Sequence, residues 1–329
     1  MATKKEAAIA EVMAAQMEVE AELLAYPNAV GVATGFKVTK GQVTDQVALM
    51  VLVPYKIPED VLPAAARIPT RVKELHTDVL EVGLLFAADG AAQSGIQSLA
   101  TRRRPVEGGY SVGHKDITAG TIATAVYDKS SFPGIPPHYY ILSNNHVLAN
   151  SNAGVPGDAI LQPGPYDGGT DPADRIAILS RFVPIQFEPP IPRAAHNNLV
   201  DAAIAEAAFA DIDREVYWIG VVRGWRPRAN VTLGTGVQKT GRTTHYTTGR
   251  ITAINATVDV GYSGGRVARF RDQMVLSNMS APGDSGSLIT TLDGVAVGLL
   301  FAGSNVATIA CQIEHVQNLL GVLVAQLAL

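Results

Sequence analysis

Three polar segments of the 329-residue chain carry residue types that can act together in acyl transfer. They occur in the order His146, Asp201 and Ser285. An imidazole can accept the proton of a hydroxyl group, and a carboxylate can orient that imidazole. The three residue types therefore suit a serine nucleophile with its base and its orienting acid.

The surroundings of His146 and Asp201 fit those roles. His146 follows an apolar Tyr-Ile-Leu run and a polar Ser-Asn-Asn tripeptide. A base at the end of a strand is held rigidly and can still reach a substrate. Asp201 has apolar residues on both sides, and a buried carboxylate needs donors such as an imidazole N–H. Taken alone, the Asp201 segment fits a surface strand edge equally well.

Ser285 lies in a Gly-Asp-Ser-Gly run that an apolar strand follows. Glycines allow a tight turn in which two backbone N–H groups point at one spot, as an oxyanion hole requires. We assign these donors to the N–H groups of Gly283 and Ser285. As an isolated turn the run could arise by chance, but its order after the other two segments makes chance a poor explanation.

The chain from residue 108 onward has the sequence pattern of a β protein. Short β-branched runs alternate with turns rich in Gly, Pro, Asn and Asp, which favours β-barrels or a sandwich. The predicted strands are 119–127, 138–143, 176–183, 200–205, 216–223, 232–239, 249–260, 266–277, 286–291, 294–302 and 307–313. A closing helix is predicted over 314–328.

The first third of the chain has a different pattern, which predicts both helix and strand. A helix is predicted over 4–25, followed by a small α+β unit with strand candidates at 30–38, 46–53 and 77–84. The helix either docks on its own chain or forms a contact in a homo-oligomer. An Ala-, Gly-, Ser- and Arg-rich stretch reads as a linker. The expected division is 1–85, a linker at 86–107, and a β domain at 108–329.

Composition restricts the partners. The chain is 47% apolar and 17% charged, with a net charge of −4, so we expect no nucleic-acid partner. No apolar run is long enough for a membrane span, and the N-terminus lacks a secretory apolar region. Cys311 is the single cysteine, so we expect a buried structural thiol and a cytoplasmic protein.

Together these motifs resemble the trypsin/chymotrypsin-like serine peptidases over 108–328. The Ser-Asn-Asn-His-Val run is similar to the histidine segment of the bacterial high-temperature-requirement subgroup. The run at 239–251 looks like the first hairpin of that family's second barrel. The insertion at 162–169 and the N-terminal unit resemble a bacterial, disulfide-free branch, to which the plant Narrow Leaf proteins look like distant relatives.

The resemblance implies a mainly β fold: a chymotrypsin-like double β-barrel with a C-terminal helix, preceded by the small α+β unit. It implies a serine endopeptidase with a protein or peptide substrate and with neither cofactor nor metal. The substrate would add as a strand beside residues 299–304. Residues implied to contact it are Met279, Leu300, Phe301, Ala302 and Gly303. Met279 would form the pocket floor, and because no acid stands there, we expect a small or apolar side chain before the scissile bond.

Some patterns point elsewhere. Gly-Tyr-Ser-Gly-Gly at 261–265 matches the α/β-hydrolase motif, but β-type runs on both sides favour a hairpin turn. Asp167, Asp171 and Asp174 do not fit an EF-hand and favour a solvated loop. The Pro/Gly-rich stretch between His146 and Asp201 is either a lid or a surface excursion.

Two classes of function therefore remain. One is an active endopeptidase, and the other is a latent or inactive protease-fold protein that uses its cleft as a peptide-binding scaffold. The complete set of three residues favours the enzyme.

Overall fold

The computed structural model describes residues 4–87, 99–129 and 135–329. Its first elements form a helix packed on a small sheet. They are α1 (Lys4–Leu24), β1 (Gly31–Thr39), β2 (Gln42–Val53), β3 (Arg71–Val72) and β4 (Leu75–Glu81). The helix buries Val12, Val19 and Leu23 against the sheet. Of the two roles expected for this helix, docking is therefore the one that the packing supports.

The following elements are short strands with one helical turn. They are β5 (Val106–Gly108), β6 (Ser111–His114), β7 (Gly120–Thr121), β8 (Ala125–Asp128), β9 (Tyr139–Ser143), α2 (Asn145–Leu148), β10 (Ala159–Leu161), β11 (Arg175–Phe182), β12 (Ala203–Ala207), β13 (Ile212–Val216), β14 (Gly220–Val221) and β15 (Gly224–Trp225).

Longer strands and a second helix complete the chain. They are β16 (Gly236–Gly241), β17 (His245–Gly261), β18 (Val267–Ser277), β19 (Leu288–Thr291), β20 (Val295–Gly303), β21 (Ala307–Gln312), α3 (Ile313–Leu320) and β22 (Val322–Leu323). No helix among the described residues is both long and apolar enough to cross a membrane.

The strands form two barrel-like units. The first is an eight-stranded sheet in the order β22-β8-β9-β12-β11-β10-β6-β7. In the second, the path β16-β19-β20-β21-β18-β17 closes on itself because β17 also pairs with β16. Separate apolar clusters include Ile141 and Ile160 in the first unit, and Ile251 and Ile289 in the second. The expected mainly β, double-barrel fold with an N-terminal α+β unit is confirmed.

The N-terminal sheet is continuous with the second barrel. Strand β1 pairs antiparallel with β17, with Gly31 opposite Val258. Ala33 and Met50 share one core cluster with Val258 and Phe270. The described part of the expected linker 86–107 starts with a paired segment, since Phe86 bridges Gly303 of β20. Residues 88–98 of that linker lie outside the described residues.

The C-terminal helix is shorter than the prediction of 314–328. Helix α3 ends at Leu320 because Gly321 adopts a left-handed conformation with φ 67° and caps it. The chain then forms β22, in which Val322 pairs with Asp128 of β8. The C-terminal segment therefore ties the second barrel to the first.

Candidate active site

His146 and Asp201 meet at the adjoining ends of two neighbouring strands. Strand β9 ends at Ser143 and leads into the helical turn α2, which carries His146. Asp201 comes just before β12, whose Ala203 pairs with Ser143. The Nδ1 atom of His146 lies 2.7 Å from Oδ2 of Asp201, and the His146 backbone N–H donates to Oδ1 at 3.1 Å. Both oxygens of the buried carboxylate therefore hold this histidine.

Two further hydrogen bonds hold Asp201. The hydroxyl of Tyr262 donates to Oδ2 at 2.7 Å, and the Asp201 backbone N–H donates to Sγ of Cys311 at 3.4 Å. Burial raises the pKa of Tyr262 well above its ordinary value, and the Asp201 charge raises it further. Burial likewise raises the pKa of the Cys311 thiol. Both groups are therefore protonated and neutral at physiological pH, and Cys311 is the buried thiol that the sequence predicted.

The Ser285 loop of the second barrel lies against the strand end that leads into His146. The Ser285 carbonyl accepts a hydrogen bond from Thr121 N at 2.8 Å, and the Thr121 carbonyl accepts from Ser143 Oγ at 2.7 Å. Ser143 lies at the strand end that leads into His146. Gly286 has φ 96°, and a Cβ there would lie 2.1 Å from Ser143 Oγ. Only glycine fits this close approach, which brings the Ser285 loop to the histidine turn.

Two hydrogen-bonded carbonyls orient the peptides of this loop. Thr243 Oγ1 donates to the Pro282 carbonyl at 2.8 Å, and Ser287 Oγ donates to the Asp284 carbonyl at 2.6 Å. In a trans peptide the N–H points away from the carbonyl. The N–H groups of Gly283 and Ser285 are thus turned away from Thr243 and Ser287. These two N–H groups are the oxyanion donors proposed from the sequence.

A buried ion pair lies beside the nucleophile. Nζ of Lys239 is 3.2 Å from Oδ2 of Asp284, and neither side chain is exposed. The Asp284 carboxylate also accepts from the backbone N–H groups of Thr243 at 2.9 Å and Ala281 at 3.0 Å. Burial lowers the pKa of Lys239, and the Asp284 charge opposes that shift. Asp284 precedes Ser285, so this pair fixes the loop from within the barrel.

A second buried pair corrects the expectation of a solvated loop at Asp167. Oδ2 of Asp167 accepts from Nε of Arg242 at 2.8 Å, and both side chains are almost fully buried. The Arg242 guanidinium also packs against Tyr166 and Gly283. Arg242 follows β16 directly, so the insertion at 162–169 is anchored to the second barrel. This part of the stretch after His146 is therefore held against the second barrel.

A cavity of about 610 Å³ adjoins Ser285. Of the expected substrate contacts, Leu300, Ala302 and Gly303 line it. Met279 and Phe301 are not part of its lining. Asn278 and Ser280, the two neighbours of Met279, line the cavity instead. Among the described residues, none that lines the cavity is charged; it is bounded by Tyr55, Leu84, Phe86, Asn278, Ser280, Ala281, Pro282, Ser285, Leu300, Ala302, Gly303, Ser304 and Asn305.

The alternative motifs do not form separate sites. The Gly-Tyr-Ser-Gly-Gly run is the turn between β17 and β18, as the flanking strands predicted. Within the described ranges, no cluster of three or more His, Cys, Asp or Glu side chains could hold a metal ion.

Tyr262, Lys239 and Arg242 are residues of the site that motif analysis did not identify. Tyr262 lies inside the run interpreted as a mere turn, yet its hydroxyl reaches Asp201. A signal existed for Lys239, because a lysine within a strand that faces a barrel interior needs a buried anion. The local sequence does not identify that anion, Asp284, which lies 45 positions away.

One comparison with known protein families matches the N-terminal unit. A family model described as the NARROW LEAF 1 N-terminal domain matches residues 6–82, which span α1 to β4. Comparison with curated proteins finds no match.

Several solved proteases are similar to about two thirds of the chain. Thermobifida fusca protease A is 17% identical, with a TM-score of 0.45 and coverage of 66% of this chain and 97% of that one. Nocardiopsis protease is 20% identical, with a TM-score of 0.46 and coverage of 66% and 97%. The HtrA-type protease AlgW with a tripeptide is 15% identical, with a TM-score of 0.37 and coverage of 68% and 61%. At these values the likenesses add no argument about the site, and the double-barrel architecture follows from the strand pairing.

Proposed function

We propose that the protein is a serine endopeptidase with Ser285 as nucleophile, His146 as general base and Asp201 as the orienting acid. The observation that carries the proposal is the buried Asp201 carboxylate, which holds His146 through its ring and its backbone N–H. Burying this carboxylate costs free energy. An imidazolium that forms beside it during acyl transfer would compensate its charge.

The proposed reaction proceeds through an acyl-enzyme. Nε2 of His146 takes the proton of the Ser285 hydroxyl as Oγ attacks the peptide carbonyl carbon. The N–H groups of Gly283 and Ser285 stabilise the negative charge on the carbonyl oxygen. His146 returns the proton to the leaving amine as the C–N bond breaks. Water then attacks the ester, His146 takes one of its protons, and Ser285 is regenerated with a free carboxylic acid.

The proposed preference is for a small or apolar side chain before the scissile bond. The cavity beside Ser285 supports this because the described residues of its lining are uncharged and include Leu300 and Ala302. A lysine or arginine side chain would be desolvated there with no acidic partner among those lining residues, which costs free energy.

Covalent labelling with a fluorophosphonate probe tests the nucleophile. We expect the wild-type protein to be labelled at Ser285, and we expect Ser285→Ala and His146→Ala to lose the label. Ser263→Ala is the matched control, since that serine lies in the hairpin motif at 261–265 and should leave labelling unchanged. Failure of the folded wild-type protein to react, or equal labelling of the His146 variant, would refute the proposed triad.

A further inference from the structure

The segment Leu85–Ala87 is itself bound as a strand at the edge where the proposed substrate would pair. The N–H of Phe86 donates to the Gly303 carbonyl at 3.1 Å, and the Gly303 N–H donates to the Phe86 carbonyl at 3.1 Å. The pairing is antiparallel. Gly303 therefore has neither its N–H nor its carbonyl available for an incoming peptide.

The other side of the segment is also paired. The Gly261 N–H donates to the Leu85 carbonyl at 3.0 Å, and the Ala87 N–H donates to the Gly261 carbonyl at 3.1 Å. Leu85, Phe86 and Ala87 thus fill the gap between the ends of β17 and β20. A free strand edge tends to recruit an extended chain, and here the recruited chain is the protein's own.

Glycines shape the groove for this segment. A Cβ built on Gly261 would lie 2.7 Å from the ring of Phe86, so the ring fits only because Gly261 has no side chain. Gly83 has φ 70°, and a Cβ there would lie 2.6 Å from Ser304 Oγ. The same Ser304 hydroxyl donates to the Val82 carbonyl at 2.5 Å. The groove is therefore built to hold an extended chain with an aromatic side chain at this position.

The segment runs toward the proposed triad. Ala87 pairs with Gly261. Tyr262, which follows Gly261 in the chain, donates its hydroxyl hydrogen to Asp201. The Tyr262 ring also lies 6.0 Å from the His146 ring, centroid to centroid. Side chains of Leu84 and Phe86 line the cavity beside Ser285.

We infer that Leu84–Ala87 is an internal ligand of the peptide-binding groove, which competes with extended peptide substrates and keeps the full-length chain in a latent state. The inference rests on the proposed endopeptidase function and adds its regulation and substrate class. The groove takes an extended peptide with an aromatic side chain at the Phe86 position. As part of the same chain, the segment has a high effective concentration, so a substrate must displace it.

Phe86→Pro tests the inference in the full-length chain, since proline lacks the N–H that pairs with Gly303. With a quenched fluorescent peptide carrying small or apolar residues before the cut, we expect kcat/KM to rise about fivefold to tenfold. The gain should come from a lower KM, with kcat unchanged, because only competition is removed. Phe86→Tyr keeps both the N–H and the ring, and it should behave as the wild type.

Fluorophosphonate labelling separates this inference from the function on which it rests. The probe is small and needs no strand partner, so Phe86→Pro and wild type should be labelled at equal rates. Labelling of both with unchanged KM in Phe86→Pro would overturn the internal-ligand inference and leave the endopeptidase proposal intact. Absence of labelling in both would instead refute the endopeptidase proposal. If Phe86→Pro fails to fold, Ala87→Pro removes the N–H that pairs with Gly261 and provides the same test.

Discussion

Asp201 is the residue on which the proposed chemistry depends most. Its side chain is fully buried and accepts hydrogen bonds from His146 and from Tyr262. A buried carboxylate without donors would be costly, and each donor to a charged acceptor recovers part of that cost. Tyr262 therefore acts through Asp201, as a positioning residue for the histidine.

Replacing Tyr262 by phenylalanine should lower both stability and turnover. Loss of a hydrogen bond to a charged group costs about 1.5–3 kcal/mol of unfolding free energy. A less well-oriented His146 should reduce kcat about tenfold, which corresponds to about 1.4 kcal/mol of barrier. Chemical denaturation and peptide hydrolysis measure the two effects. Tyr246→Phe is the control, because its hydroxyl donates to Gln238 at 2.8 Å rather than to Asp201; a similar loss in that variant would contradict the specific role.

Tyr262 also predicts how stability changes in alkaline solution. Its folded pKa is raised by burial, so its contribution is fully present below the unfolded pKa of about 10 and is lost as pH rises above that value. The unfolding free energy should fall less steeply above pH of about 10 in Tyr262→Phe than in wild type. Parallel slopes in the two proteins would show that Tyr262 does not titrate with unfolding.

Lys239 should be essential for stability and for the reactivity of Ser285, because it neutralises the buried Asp284 carboxylate. Lys239→Met leaves a buried carboxylate uncompensated, and we expect a loss of about 3–5 kcal/mol in unfolding free energy together with slower labelling of Ser285. Lys239→Met combined with Asp284→Asn should recover part of the stability. Lys115→Met, at an exposed lysine, is the control and should change stability by less than about 0.5 kcal/mol. A Lys239→Met protein as stable as wild type would refute this role.

At the scale of elements, the insertion at 162–169 joins the two barrels. Its Asp167 pairs with Arg242, which directly follows β16 and packs against Gly283. Pairing at such a junction holds the nucleophile loop on the second barrel against the base on the first.

Asp167→Asn should therefore destabilise the protein by about 3 kcal/mol, because it removes the carboxylate charge that faces the buried Arg242 guanidinium. The same loop supplies a matched control in Asp171→Asn, which breaks only a half-exposed pair with Arg175 and should cost about 0.5 kcal/mol or less. Denaturant midpoints compare the variants. Equal midpoints for Asp167→Asn and Asp171→Asn would contradict the anchoring role.

Element-scale features were predictable where their signals are local. The alternation of apolar runs and turns predicted most strands of both barrels but missed β6, β10 and β22 of the first. The glycines around Ser285 predicted its tight turn. Met279 was placed at the pocket floor by its offset from Ser285, and an offset carries no information about which way a side chain faces. The predicted end of the final helix overlooked Gly321, although a glycine there is a common helix stop.

At the scale of the whole molecule, the N-terminal unit extends the sheet of the barrel that carries Ser285. Strand β1 covers the edge of β17, and Val82 N donates to the Val53 carbonyl near the point where the chain enters the groove. The sequence predicted the unit but not its attachment, because antiparallel pairing between residues 31 and 258 leaves no local trace. The sequence did not predict the pairing of Phe86 with Gly303 for the same reason.

A chain that begins at Leu99 should consequently be unstable. It would expose the β17 edge and apolar core residues such as Val258 and Phe270, which favours aggregation. Size-exclusion chromatography and thermal melting provide the test. A monomeric chain beginning at Leu99 with the melting temperature of the full chain would contradict the structural dependence on the N-terminal unit.

The most direct test of the endopeptidase proposal is mass-spectrometric mapping of new termini in an unfolded protein substrate. We predict cleavage after small or apolar residues by the wild-type chain, faster cleavage by Phe86→Pro, and none by either protein when Ser285→Ala is added. Absence of Ser285-dependent termini with both folded proteins would contradict the account and favour a peptide-binding scaffold.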